Sequence, residues 1–255
     1  MRLLNAKTLE LKEFFGGSIP EYTILSHTWG EEEVTLQEIV ERRWWKKRGI
    51  KKKAGFKKIT GCQRLTRELG LDWFWIDTCC IDKTSSAELS EAVNSMYQWY
   101  QRSRKCFAFL SDVSWEDGPV SKNSSFRRSR WFTRGWTLQE LLAPTFLEFY
   151  DQAWVSLGFR DSQRLTGIIK EITGIGGEIL GASFKDQPAA TIFSWASRRK
   201  TSRQEDMTYC LLGLLNITMP LLYGEGNRAF ARLQEERLKQ RHDQTLLAWG
   251  LDDKL

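Results

Sequence analysis

Apolar positions alternate between two rhythms along the first 150 or so residues. "EYTILSHTWG" (Glu21–Gly30) is a short apolar run that gives way to polar residues, the pattern of a strand opening into a loop. "FKKITGCQRLTRELG" repeats Ile59, Cys62, Leu65 and Leu69 at helical spacing and stops at Gly70. "LDWFWIDTCCID" (Leu71–Asp82) is nearly continuous in apolar residues, as a strand covered on both faces would be. In "SSAELSEAVNSMYQWYQRS", Ser85 and Glu88 have capping-box spacing, and Leu89, Val93, Met96 and Tyr100 follow at helical intervals. "KCFAFLSDV" (Lys105–Val113) and "TFLEFYDQ" (Thr145–Gln152) predict two more strands, separated by a polar loop and the helix "RGWTLQELLAP" (Arg134–Pro144). Strands and helices in strict alternation predict an α/β fold with a parallel sheet, and right-handed crossovers make it doubly wound.

Past residue 155 only the helical rhythm persists, in "SQRLTGIIKEITGI", "AATIFSWASRR", "QEDMTYCLLGLLN" and "NRAFARLQEERLKQ". The chain therefore divides into an α/β domain over residues 1–155 and a C-terminal α-helical extension over residues 156–255, packed on it.

Composition changes this picture little. At 41% hydrophobic and 27% charged the chain reads as an ordinary soluble protein, with twelve tryptophans to bury. No apolar run reaches the roughly 20 residues of a membrane span. The opening "MRLLNAKTLELKEFF" lacks a signal peptide's apolar core, so a cytoplasmic protein is expected. The five cysteines (Cys62, Cys79, Cys80, Cys106 and Cys210) form no C-x-x-C pair and there are two histidines, so no metal site is expected. The net charge of +6 is concentrated in "RRWWKKRGIKKKAGFKK" (residues 42–58), ten of whose seventeen residues are basic. Such a run can track phosphates, but no nucleic-acid motif accompanies it, and it reads as solvated surface.

Chemistry belongs beyond the carboxyl ends of the parallel strands. That rule selects Ser26, His27 and Trp29 after the first strand, Asp77 after the second, Ser111 and Asp112 after the third, and Asp151 after the fourth. The helix with Trp136 and Glu140 starts from the same rim. Its Leu138, Leu141 and Leu142 form an apolar stripe, with Trp136 and Glu140 opposite, as either a solvated face or the lip of a site. "GEGNRA" (Gly224–Ala229) fits a loose dinucleotide fingerprint, but too little chain follows for the strand–helix–strand unit, so it reads as a helix-start turn. His27 with Cys79 or Cys80 would suit a Cys–His hydrolase, although the Q-A-C-x-G signature is absent.

"YTILSHTWG", "WFWIDTCCIDK" and "RGWTLQE", in this order, resemble the three motif blocks of the fungal heterokaryon-incompatibility (HET) domain. The stretch from "SWASRRKTSRQEDMTYC" to "GEGNRAFARLQEE" resembles the region that follows it in larger members. The resemblance implies an amino-terminal effector that triggers programmed cell death on recognition of non-self, with nucleotide-binding and repeat-sensor modules as partners in the full-length protein, and activation by self-association. More distantly, "YTILSHTWG" and "WTLQEL" are similar to motifs of Toll/interleukin-receptor (TIR) domains, with Thr137 where many of those carry cysteine. That second resemblance implies a TIR-like sheet and carries Glu140 over as the glutamate needed to cleave NAD, here a substrate and not a cofactor. Ser26, His27, Trp29, Asp77 and Trp136 would line its binding site. The alternatives are a cell-death module that acts only through binding partners, a Cys–His hydrolase and an anion- or nucleic-acid-binding protein.

Overall fold

A computed structural model describes residues 1–41, 46–119, 121–180, 187–240 and 244–247. Its centre is a seven-stranded sheet in which β1 (Arg2–Asn5), β2 (Leu11–Glu13), β3 (Thr23–His27), β4 (Trp73–Trp75), β5 (Lys105–Phe109), β6 (Leu147–Tyr150) and β7 (Ser156–Phe159) run in the spatial order β2-β1-β4-β3-β5-β6-β7. The four strands expected from the sequence form the parallel middle, β4-β3-β5-β6. The remaining strands are antiparallel additions: β1 and β2 at one edge, β7 at the other. The chain is thus α/β with a mostly parallel sheet. β7 lies beyond residue 155, inside the stretch expected to be helical, and continues the sheet by pairing with β6.

Chain order β3, β4, β5, β6 against spatial order β4-β3-β5-β6 means that the direction of winding reverses between β3 and β5. This is the topological switch point at which open α/β sheets bind ligands. Side-chain contacts agree with helices on both faces. Thr23 and His27 meet Thr66 and Lys58 of helix Ala54–Glu68. Ser26, pointing the other way by the two-residue strand period, meets Glu140 of helix Thr137–Leu142. That helix packs against Ser86–Arg102.

Local chemistry explains most boundaries. Gly70, at φ +73°, ends helix Ala54–Glu68 in a left-handed turn. Ser85 caps the next helix by accepting from the Glu88 N–H at 3.3 Å. The second half of the expected capping box does not form: Glu88 turns to the Asp82 N–H and to the Arg2 guanidinium, which ties β1 to this helix. "LDWFWIDTCCID" departs from expectation. The strand stops at Trp75, and Asp77–Cys80 is a single helical turn.

The C-terminal region contains helices Gln163–Thr173, Ala189–Ala196 and Arg228–Gln240 where periodicity placed them, whereas "QEDMTYCLLGLLN" is helical only over Asp206–Tyr209. It shares the core of the sheet domain. Asn94 exchanges two hydrogen bonds with Met219, and the Lys200 backbone bridges Thr133 and Gly135 just before helix Thr137–Leu142. Among the described residues, no helix is long and apolar enough to cross a membrane.

Gly55 marks the tightest backbone contact near the sheet's carboxyl edge. A Cβ there would stand 2.8 Å from backbone atoms of Glu32, Glu33 and Val34, so neither partner has a flexible end to move aside. Gly55→Ala is expected to cost about 1–3 kcal/mol of stability, read as a lower denaturant midpoint at unchanged m-value.

Candidate active site

Ser26 is fully buried and its hydroxyl is used twice. It accepts from Trp131 Nε1 at 2.7 Å, so its own proton is directed to Glu140 Oε2 at 2.5 Å. The helix that carries Glu140 is held at both ends. Arg160 donates to the Leu141, Pro144 and Thr145 carbonyls at its carboxyl end. Arg199, from the C-terminal region, donates to Thr137 Oγ1 and to the Arg134 carbonyl at its start, both at 2.9 Å.

Glu140 is not on a solvated face. All six residues of Thr137–Leu142 are buried, and Glu140 is only 7% exposed. Burial pushes its carboxyl up to about 8, with the Asp77 charge adding to the effect, against the Ser26 hydrogen bond and the Arg199 charge.

Asp77 is the opposite case. Burial alone would raise its carboxyl, but Lys83, with the hydrogen bonds from His27 and Trp29, outweighs it and holds the group well below the usual carboxylate range. Asp77 Oδ1 lies 3.0 Å from His27 Nε2, and Oδ2 accepts from Trp29 Nε1 at 2.7 Å. Lys83 Nζ sits 3.8 Å from Oδ2 and 3.3 Å from the centroid of the Trp29 ring.

Behind His27 stands Lys58, whose three N–H groups have three acceptors: His27 Nδ1 at 3.1 Å, the Thr28 carbonyl at 2.9 Å and the Glu33 carboxylate. Nδ1 therefore accepts, and the proton of the imidazole is on Nε2, pointing at Asp77. Gly55 holds the backbone of the loop that carries Glu33, since its N–H donates to the Glu32 carbonyl at 2.9 Å.

A cavity of about 260 Å³ opens between these groups. His27, Trp29, Asp77, Trp136 and Glu140 line it, bringing together five of the six residues expected from the sequence. Ser26 lies beneath the cavity and reaches it only through Glu140. Sequence reasoning missed Lys83 and Arg134, which stand within or beside the quoted motifs, and Arg203, Asp206 and Tyr223, which come from the C-terminal region. Tyr223 donates to Asp206 at 3.0 Å and lies under the Arg203 guanidinium, 4.4 Å from its ring centroid.

The other strand ends are structural. Asp112 accepts from Ser129 and the Arg130 N–H, and Asp151 accepts from the backbone of Trp115, Ala153 and Val155. Cys79 and Cys80 are buried outside the cavity lining, and burial pushes the Cys79 thiol well above its ordinary range. Both nitrogens of His27 are already engaged, so a Cys–His hydrolase has neither its nucleophile nor its base.

"GEGNRA" is a turn before a helix whose Gly224 and Gly226 N–H groups are occupied by the Glu205 carboxylate, at 2.8 and 3.1 Å. Within the basic run, Lys47, Lys53 and Lys58 pair with Glu41, Glu38 and Glu33; residues 42–45 lie outside the described residues. Among the described residues, no three His, Cys, Asp or Glu side chains cluster as a metal would require.

Residues 22–127 match the family model described as heterokaryon incompatibility protein (HET). The chain is also 43% identical over 233 residues to the vegetative incompatibility protein HET-E-1 of Podospora anserina, a match over 88% of this chain and 17% of that protein. The chain carries a HET domain. No solved structure matches it significantly. The HET family match contains the His27, Trp29, Asp77 and Lys83 side of the cavity, while Glu140 lies beyond its end.

Two measurements check this site of the HET chain. His27 and His242 are its two histidines, so ring nitrogen-15 spectra should assign readily. We expect His27 with Nδ1 unprotonated, and a protonated Nδ1 would contradict the Lys58 contact. Glu140 makes the second. Its folded-state value is raised from 4.5 to about 8, so the native protein keeps a proton that the unfolded chain releases. Its contribution to stability is therefore fully present below pH 4.5 and lost as pH rises through about 8. Urea titrations from pH 5 to 8.5 should show that decline in the wild type and a flatter profile in Glu140→Gln.

Proposed function

We propose that this chain is the effector portion of a fungal incompatibility protein and that it hydrolyses the N-glycosidic bond of NAD to nicotinamide. The observation that carries the reading is Glu140: a carboxyl group sealed at the switch point, tethered through Oε2 to Ser26, and lining the cavity. Nicotinamide leaves from NAD as a neutral molecule, because the bound ring is already a pyridinium cation. No general acid is needed for its departure, so the reaction does not require the matched acid–base pair of ordinary glycosidases. What it needs is negative charge beside the ribose as that ring becomes oxocarbenium-like, together with water to complete hydrolysis.

An ionised Glu140 supplies that charge. A cationic ligand also favours its ionisation, offsetting the burial that raises it in the empty cavity. Asp77 is the permanently ionised partner, and its bond to His27 Nε2–H keeps both groups fixed. Trp29 and Trp136 offer aromatic surface to a planar ring. The incompatibility role follows from the resemblance to HET-E-1, of which this chain spans 17%. Activation by self-association on a sensor module, a TIR-like relationship and a cytoplasmic site of action belong to the same proposal.

Nicotinamide release from NAD by purified protein, under conditions that promote oligomerisation, tests the reading. Glu140→Gln should lower the rate at least ~100-fold while leaving far-UV circular dichroism unchanged. The wild-type rate should rise from pH 7 to 8.5 as Glu140 ionises. No release from the assembled wild type would refute NAD hydrolysis, and cell killing that persists in a folded Glu140→Gln variant would move the function to a binding role.

A further inference from the structure

The C-terminal region completes the cavity and gives it a second character. On the sheet side the cation Lys83 is already committed, facing Asp77 and resting on Trp29. The two arginines of the lining are differently placed. Arg134 is half-buried and Arg203 exposed; the Arg203 charge is felt by Asp206 and Glu205, but among the described residues neither guanidinium closes to a salt bridge with a carboxylate. Asp206, the acid on this wall, accepts from the Tyr223 hydroxyl and is also met by the Trp136 side chain and the Arg203 charge.

The backbone explains why both arginines reach one cavity. Arg134 and Lys200 form a parallel bridge, with Lys200 N donating to the Thr133 carbonyl at 2.7 Å and Gly135 N to the Lys200 carbonyl at 2.9 Å. Arg203 follows the bridge by three residues and is steadied over the Tyr223 ring. Two planar forks on one cavity wall, one of them resting on an aromatic face, suit an oxyanion attached to a planar group.

We propose that Arg134 and Arg203 form a phosphate-ester subsite, so that the ligand of this cavity is a phosphorylated nucleotide, not a free nucleoside. The proposal rests on the reading of the cavity as a nucleotide site. It makes the C-terminal region part of the binding unit, with Glu140 at the glycosidic end and the arginines at the phosphate end.

Titration calorimetry with ADP-ribose, adenosine and inorganic pyrophosphate tests it without depending on catalysis. The wild type should bind ADP-ribose more tightly than either of the other two. Arg134→Gln and Arg203→Gln should each weaken ADP-ribose about 10-fold or more, with lysine at either position recovering part of the loss. Arg203 is exposed, Arg134 is half-buried, and neither guanidinium holds a hydrogen bond among the described residues, so unfolding is not expected, and thermal melts of the variants will verify it. Equal ADP-ribose affinity in wild type and folded variants overturns the proposal. So does pyrophosphate binding as tightly as ADP-ribose, which would mean a bare anion site, or an absence of ADP-ribose binding. Arginine-dependent ADP-ribose binding with no nicotinamide release would retain the subsite while refuting NAD hydrolysis.

Discussion

Ser26 and His27 are neighbours on β3, and the pleat sends their side chains to opposite faces of the sheet at its carboxyl edge. The rest of the site depends on that alternation. Ser26 reaches the face covered by helix Thr137–Leu142 and orients Glu140. His27 reaches the face covered by helix Ala54–Glu68, where Lys58 orients it toward Asp77. A one-residue slip in the pairing of β3 with β5 would exchange the two and leave a carboxyl group and an ammonium buried without partners. The register that pairs Ser26 with Ala108 and His27 with Phe109 is therefore an electrostatic requirement as well as a packing one.

The same edge separates two carboxyl groups by environment. Asp77 is surrounded by donors and cations, so ionisation costs little. Glu140 meets only the neutral hydroxyls of Ser26 and Tyr100, with the Arg199 guanidinium bonded to Thr137 and not paired with it directly. Groups of one chemical type pushed in opposite directions are the usual arrangement where one must stay charged and the other must respond to a ligand. Holding the two apart needs rigid support. That support comes from the Lys58–Glu33 pair, the Gly55 contact beneath it and the two arginines that clamp the ends of helix Thr137–Leu142.

The parallel middle of the sheet could be read from apolar runs because each central strand is covered on both faces. The edge strands could not. β1 and β2 mix charge with leucine in segments of four and three residues, and β7 is four residues interrupted by Gly158, too short for periodicity to register. Asp77–Cys80 was hidden for a related reason: a buried helical turn and a buried strand have the same apolar content. For Glu140 the helical wheel was correct and the inference from it incomplete. The face opposite Leu138 and Leu141 is polar, yet it is covered, because Trp131 and Arg199 bring the partners that a buried polar face requires. Five of six expected residues met at one cavity because strand ends converge by topology. Arg203, Asp206 and Tyr223 arrive through a backbone bridge between residues 134 and 200, which leaves no local signature.

That bridge bears on what counts as the functional unit. The family match ends at residue 127, and a boundary drawn there would retain His27 and Asp77 while removing Glu140 and the covering wall. A sheet ending there would also lose β6 and β7, the two strands beyond β5 on that side. Even a boundary after β7 would strip Arg199 from beneath Thr137, along with Arg203 and Tyr223 from the cavity. Buried or part-buried polar contacts cross residue 155: Arg199 to Thr137, Arg160 to Leu141, and Asn94 to Met219. Each would leave a donor or acceptor unpaired in the interior if cut. The α/β sheet and the helices after it therefore share one interior, and the environment of Glu140 is a property of both.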